Sequence, residues 1–493
     1  MSFTYFQNRL SFFSKSLIVI TLVGFLLRVL AARGELWFYE ILTLKLLDRL
    51  SSPDEIFSRL PHVNNHLLNS LWLWIAGKEA DPVWRRFASI LLGAATIPAA
   101  AMFIRRAAGE AAGLATALIF AVGHIFVHYG SEARGYAGLV LMIVLCADAA
   151  DRLLRDPLRK GPAVQFALCV ALGALFQFTM IAAVGVVGAA TAVLMALDFG
   201  RFRDNSLALL RLSLAAIVGL APAVICFFVT ANFEPYVIGI QTPFSFADLA
   251  EGLSGMARST LGVPAGPSDP QTILVAALLA AGALMIVPPR LRAPCLIALA
   301  VVPLLEIWFR LPNLFYPRFH LPTATFLALL AGAGLGLLWT GGGWRRGGAL
   351  ALAMIGLLGH GALVGDLVLT GRGAYRAAIT TMLKDGPASF DGDYHIETGV
   401  VVEFNLARLH GDGLTLAPAE WDCGTPPDWY VVTQWPGKTT PLAQEERFGP
   451  EACPTPFRRV GHYPSARLSG YNWTLYRSSP QIQPRLDQTL ITR

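Results

Sequence analysis

Residues 163–197 read AVQFALCVALGALFQFTMIAAVGVVGAATAVLMAL, a run without one charged side chain. A helix needs about 20 apolar residues to cross the roughly 30 Å hydrocarbon layer of a bilayer. The run is therefore read as two spans, near 163–178 and 180–197. If the two merged, the sidedness of everything downstream would flip, so this stretch decides the topology. Working outward from it, further apolar stretches lie near 13–32, 84–104, 111–128 and 136–150 on one side. On the other lie 207–231, 271–289, 293–309, 319–339 and 347–370. The expectation is a polytopic α-helical membrane protein with about 11 transmembrane helices.

Composition agrees with lipid as the main solvent. Hydrophobic residues make up 54% of the chain and charged residues 15%, with a mean hydropathy of +0.53. Soluble domains carry about 25% charged residues. The net charge of +6 raises the question of nucleic acid, but Lys and Arg sit in short loops between apolar runs. No basic stripe interleaved with aromatics exists, and nucleic acid is excluded as a partner.

The positive-inside rule tests the count. With the N-terminus inside, the cytoplasmic loops hold Arg105-Arg106, then Arg152, Arg155, Arg159 and Lys160, then Arg201 and Arg203, then Arg290 and Arg292, then Arg345-Arg346. The basic start (Arg9, Lys15) and apolar 16–30 also fit a signal peptide. Arg28 interrupts that run and Ala31-Ala32-Arg33 is a weak cleavage site, so the segment is read as an uncleaved first span. The chain then divides into a transmembrane domain, 1–370, and a soluble domain, 371–493, on the outer side. In a bacterial inner membrane that side is the periplasm.

The outer loops are 33–85 and 232–270. In the first, 41–50 reads as a helix in the interface plane, since Lys45, Asp48 and Arg49 interrupt it. In the tail, 394–404, 429–434 and 471–477 are β-branched or aromatic runs bounded by Gly, Pro and Asp. They read as strands of a small α/β or mostly β domain. Cys146, Cys169, Cys226 and Cys295 lie in apolar runs as small hydrophobes. Cys423 and Cys453 lie in the polar tail, where an oxidising compartment would allow a bridge.

Polar groups at a membrane boundary are expensive and tend to be functional. Three stretches concentrate them, all at the outer face. Gly34-Glu35-Leu36-Trp37-Phe38-Tyr39-Glu40 sets two carboxylates among aromatics, and Asn64-Asn65-His66 follows in the same loop. The alternatives are an aromatic belt with solvated acids and an Asn cap on the next helix. Glu132-Ala133-Arg134-Gly135-Tyr136 puts an acid and an arginine in a short loop, either as a site or as a structural ion pair. Tyr316-Pro317-Arg318-Phe319-His320 holds an arginine outside, against the basic-inside pattern, either for a lipid-linked phosphate or snorkelling to headgroups. Together, acids and arginines at the outer boundary suit a lipid-phosphate donor. An acid takes the acceptor's proton and arginines stabilise the departing phosphate.

These residues resemble the GT-C fold glycosyltransferases, in the bacterial branch related to protein O-mannosyltransferases and the lipid A aminoarabinose transferase. The family's first-loop Asp-Glu is similar to Tyr39-Glu40, and its His-Pro-Pro-Leu-like segment to Asn65-His66-Leu67-Leu68. Its Glu-Ala-Arg-x-Tyr loop is reproduced by residues 132–136, and its late Pro-Arg-Tyr by Pro317-Arg318-Phe319. The resemblance covers roughly residues 10–340. It implies transfer of a sugar from a polyprenyl-phosphate donor to a lipid, glycan or protein acceptor. It makes Glu40 the base; because the family's Asp is Tyr39 here, Glu35 and Glu132 remain candidates. It implies donor-binding roles for Arg134, Tyr136, Arg318, His66, Asn65 and Tyr39. Glu40, Glu132 and His66 can together hold a divalent cation, though without a diagnostic spacing. The competing classes are a transporter or flippase for lipid-linked glycans, with charges in mid-span, and a non-catalytic assembly protein.

Overall fold

The computed structural model describes residues 11–61, 66–231, 242–263, 269–409, 411, 413–419, 421, 425–435, 441–450 and 454–478. The chain forms two compact units. One comprises Met1–Gly34 and Leu42–Leu369; the other joins Glu35–Ile41 to Thr370–Arg493. The short first-loop segment thus groups with the tail rather than with the helices that flank it in sequence.

The helical unit opens with α1 (Phe12–Ala31), α2 (Phe38–Leu47, whose first turn belongs to the other unit), α3 (Leu67–Ala76) and α4 (Pro82–Arg85). It continues with α5 (Phe87–Ala108), α6 (Glu110–Val122), α7 (His124–Tyr129), α8 (Tyr136–Arg155), α9 (Lys160–Phe176) and α10 (Met180–Leu197). Then come α11 (Phe202–Ala231), α12 (Phe246–Leu261), α13 (Asp269–Ile286), α14 (Pro289–Leu296), α15 (Val302–Trp308), α16 (Leu321–Thr340) and α17 (Gly343–Thr370). Every apolar stretch expected to span is helical. Among the described residues, eight helical runs are long and apolar enough to cross a membrane, with α14, residues 297–301 and α15 counted as one run. The other three stretches are α6 and α9, which are shorter, and α8, which carries Asp148, Asp151, Arg152 and Arg155. The run 163–197 does break in two, at Gln177–Thr179 between α9 and α10.

Arg28 explains its own presence in an apolar helix. Its Nη1 donates to the Gly24 and Ala121 carbonyls (2.8 and 3.3 Å) and its Nη2 to the Phe120 carbonyl (2.9 Å). α6 ends at Val122, so its last carbonyls need such donors. Gly93 and Gly130 make room, since a Cβ on either would stand 2.6 Å from Arg28 Nε. The centre of the unit is α16, with 78% of its apolar window buried against 17% for α1 and α13. A Cβ at Gly336 would lie 2.2 Å from the Ala112 backbone, so only glycine lets α16 meet α6 this closely.

In the second unit, α18 (Tyr375–Met382) and α19 (His395–Leu409) accompany a six-stranded sheet. The strands are β1 (Ala388–Gly392), β2 (Leu414–Leu416), β3 (Trp429–Gln434), β4 (Glu445–Phe448), β5 (Thr455–Tyr463) and β6 (Asn472–Ser478). Their order is β2-β1-β3-β6-β5-β4, with β2, β1 and β3 mutually parallel and the remainder antiparallel. The expected strands at 429–434 and 471–477 are present as β3 and β6. The one at 394–404 is not: it is the first part of α19. Its buried residues, Thr398, Val401, Val402 and Asn405, fall at a helical spacing that the β-branched composition obscured. Parallel β1 and β2 need a crossover, and this segment supplies it. Cys423 and Cys453 lie outside the described residues.

Candidate functional site

The turn between α7 and α8 carries the acid and the arginine of 132–136. Ala133, between them, is buried in an apolar cluster with Leu46, Leu47, Ile56, Leu60, Leu67 and Leu73. That anchor fixes the turn against the first-loop helices and turns its polar neighbours aside from the cluster. Glu132 is wholly buried and Arg134 is 7% exposed. Glu132 Oε1 is 4.0 Å from Arg134 Nε, and its Oε2 is 3.8 Å from His128 Nε2.

The arginine's close partner is a histidine. Arg134 Nε donates to His66 Nε2 at 3.0 Å, and His66 Nδ1 stands 3.0 Å from the Phe176 carbonyl at the end of α9. An arginine Nε–H only donates, so Nε2 is the acceptor, while Nδ1 faces both the Phe176 carbonyl and, at 3.3 Å, the Gly135 N–H. Burial first, and then the positive charges of Arg134 and Arg318, hold the His66 pKa well below its ordinary value of 6.5. His66 is therefore neutral: it orients the guanidinium without adding a charge. Tyr136 stands edge-on to His66 with ring centres 4.9 Å apart, beneath the Arg134 guanidinium at 5.7 Å. Gly135 sits where a Cβ would be 2.0 Å from the Phe176 carbonyl oxygen. Asn65 lies outside the described residues, and α3 is capped by His66 without a side-chain bond.

Arg318 lies in the 3-10 turn Pro317–His320 that leads into α16 and is 7% exposed. Its guanidinium covers the Tyr316 ring at 3.8 Å and faces Phe319 at 5.6 Å. The turn is held by His320, whose Nε2 contacts the Leu314 carbonyl at 2.9 Å and whose Nδ1 lies 3.2 Å from Glu306 Oε1. The structure thus brings His66, Arg134 and Arg318 into one electrostatic neighbourhood.

In the other unit, Glu40 is 1% exposed and occupies the third position of α2. Its Oε2 accepts from the Trp37 N–H at 3.2 Å, one half of a capping box. Glu35 Oε2 accepts from the Arg376 N–H at 3.1 Å. Burial raises the Glu35 pKa above its usual 4.5, against the opposing pull of Arg376. Trp37 meets Tyr39, Trp435 and Tyr471 edge-on at 5.0, 6.3 and 6.3 Å.

Sequence reasoning left His128, Glu306 and His320 without roles. For His128 the signal was available: His124, His128 and Glu132 recur every fourth residue, with the two histidines on one face of α7 and Glu132 in the turn that follows it. Glu306 and His320 join only through the tertiary fold. Among the described residues, no group of three or more His, Cys, Asp or Glu stands together to hold a metal ion.

The fold is GT-C. The chain is similar to ArnT from Cupriavidus metallidurans in the apo state, with TM-score 0.53 and 14% identity over 85% of this chain and 92% of that one. ArnT bound to undecaprenyl phosphate matches with TM-score 0.51 and 12% identity, over 94% and 98% of the two chains. No family model matches the sequence, and no curated protein does.

Proposed function

We propose that the protein transfers a sugar from a polyprenyl-phosphate carrier to a lipid, polysaccharide or protein acceptor at the non-cytoplasmic face of the membrane. The observation that supports this most is the pair of buried arginines bearing on one neutral histidine. Two guanidiniums held against aromatic rings and a neutral imidazole suit a phosphate diester, which gains charge as its sugar leaves. One structure that shares the fold holds undecaprenyl phosphate, and Arg134 and Arg318 are the residues assigned here to that kind of headgroup.

In the reaction, an acceptor hydroxyl oxygen attacks the anomeric carbon. The bond from that carbon to the phosphate oxygen breaks, and polyprenyl phosphate leaves with the electron pair. The acceptor proton passes to a carboxylate, for which Glu40 is the first choice and Glu132 and Glu35 are the alternatives. Such a base contributes about 10²–10⁴-fold to the rate.

Purified protein, supplied with undecaprenyl-phosphate sugars and a panel of glycan, lipid and peptide acceptors, should release undecaprenyl phosphate. If no donor in a broad panel yields it, the transferase reading fails. The transporter reading would gain if the sugar-bearing lipid instead crossed the bilayer intact.

A further inference from the structure

A cavity of ≈ 710 Å³ opens on the sheet unit, lined by Asp391, Asp393, His395, Trp421, Tyr430 and Pro450 among others. That volume is within the ~300–1,000 Å³ of small-molecule sites. Its place in the topology is specific. From β1 the chain runs through α19 to β2 on one side, and β3 then pairs on the other side of β1. β1 is therefore a switch point, and ligands of open α/β sheets bind at the carboxyl ends of such strands. Asp391, Asp393 and His395 follow one another across the carboxyl end of β1, and Tyr430 is the register partner of Asp391 on β3.

The polar groups are ordered for recognition. Asp391 Oδ1 accepts from the Gly392 N–H and from His395 Nδ1, both at 2.7 Å, and Oδ2 accepts from Trp421 Nε1 at 2.9 Å. With Nδ1 committed to the carboxylate, His395 has Nε2 for the cavity, its side chain being 27% exposed. The Asp393 carboxylate takes the Thr433 N–H at 2.9 and 3.1 Å. Tyr430 stacks on Phe448 at 4.1 Å, which fixes the direction of its hydroxyl. No Lys or Arg is among the described lining residues, so nothing there favours a phosphate or carboxylate ligand. Both acids are already engaged by N–H donors, so a cation is not what the pocket lacks. What remains is a set of oriented hydroxyl partners beside aromatic ring edges.

We propose that this pocket is a second ligand site that binds a neutral sugar unit, its hydroxyls meeting His395, Tyr430 and the two carboxylates. It lies in the sheet unit, none of whose pocket residues is given a part in the transfer reaction above.

The test uses the full-length protein in detergent and saturation-transfer NMR with methyl glycosides of glucose, galactose, mannose and N-acetylglucosamine. At least one should bind, and titration should shift the indole N–H resonance of Trp421 in the wild-type chain. His395→Gln and Tyr430→Phe, which keep the ring packing, should each weaken that binding about tenfold, or about 1.4 kcal/mol. No binding by any glycoside, or wild-type affinity retained in both variants, would each overturn the proposal.

Discussion

Arg134 donates its Nε to His66 Nε2 across 3.0 Å, joining two residues 68 positions apart in the chain. A charged guanidinium in a low-dielectric site normally seeks a carboxylate. Here Glu132 Oε1 is 4.0 Å from the same nitrogen. The histidine thus sets where the guanidinium points, and the acid stands behind it.

Removing that acceptor tests the arrangement. His66→Ala should lower transfer by about 10²-fold, the scale of a lost preorganised electrostatic contact, with donor KM rising as well. His66→Gln, which can still accept, should recover part of it. Because His66 has its pKa depressed in the fold, its stabilising contribution is present above 6.5 and is lost as pH falls below that value. A melting-temperature series in wild type and His66→Gln should show the difference.

Glu40→Gln keeps the shape and the bond from the Trp37 N–H. If Glu40 is the base, turnover falls by about 10²–10⁴-fold while donor affinity stays within a factor of two or so. A variant with normal turnover would hand the role to Glu132 or Glu35.

Gly135→Ala tests packing without touching a polar group. Its Cβ would stand 2.0 Å from the Phe176 carbonyl oxygen, a backbone atom that cannot step aside. Overpacking of this kind costs about 1–3 kcal/mol. Thermal melts should register it, and the contact between the start of α8 and the end of α9 should be the region that loosens in hydrogen exchange.

The Glu306–His320 pair is buried, so either single change leaves a polar partner behind. Glu306→Gln and His320→Gln should each destabilise, and the double variant should lose less than their sum. A coupling of about 0.5–3 kcal/mol is expected from a double-mutant cycle. Strict additivity would mean the two groups ignore each other.

Asp393 contributes to the pH dependence of the sheet unit. Its residue surface is exposed, yet its carboxylate is crowded onto β3 and burial pushes its pKa from 3.8 up to about 6. The folded state therefore holds this proton more tightly than the unfolded chain. Its stabilising contribution is complete below about 3.8 and disappears as pH rises through about 6. Solvent screening reduces its size. Asp393→Asn should flatten this part of the stability profile; an unchanged slope would locate the titration elsewhere.

The helices were legible because lipid imposes length and charge rules that a single sequence displays. The run 163–197 had to be two helices for the arginines to alternate, and the break at Gln177–Thr179 supplies it. Residues 394–404 were misread because composition spoke for a strand while burial followed a helical period. The arginines at 134 and 318 were visible as exceptions to a charge rule. His66 was visible as a polar candidate in the first loop, but its contact with Arg134 was not, since contacts across such separations leave no local trace. Nor does any local pattern reveal that Glu35–Ile41 belongs with the tail.

That last grouping has a consequence in time. Trp37 and its neighbours emerge from the ribosome 335 residues before Thr370, the first residue of the tail they pack with, counting from 35 to 370. At the ~5–20 residues per second of translation, the wait is some tens of seconds. During it the aromatic edge later closed by Trp435 and Tyr471 has no native cover. The segment that holds Glu40 is thus among the first to be made and among the last to be assembled, and a nascent chain released before its tail would carry that edge unfinished.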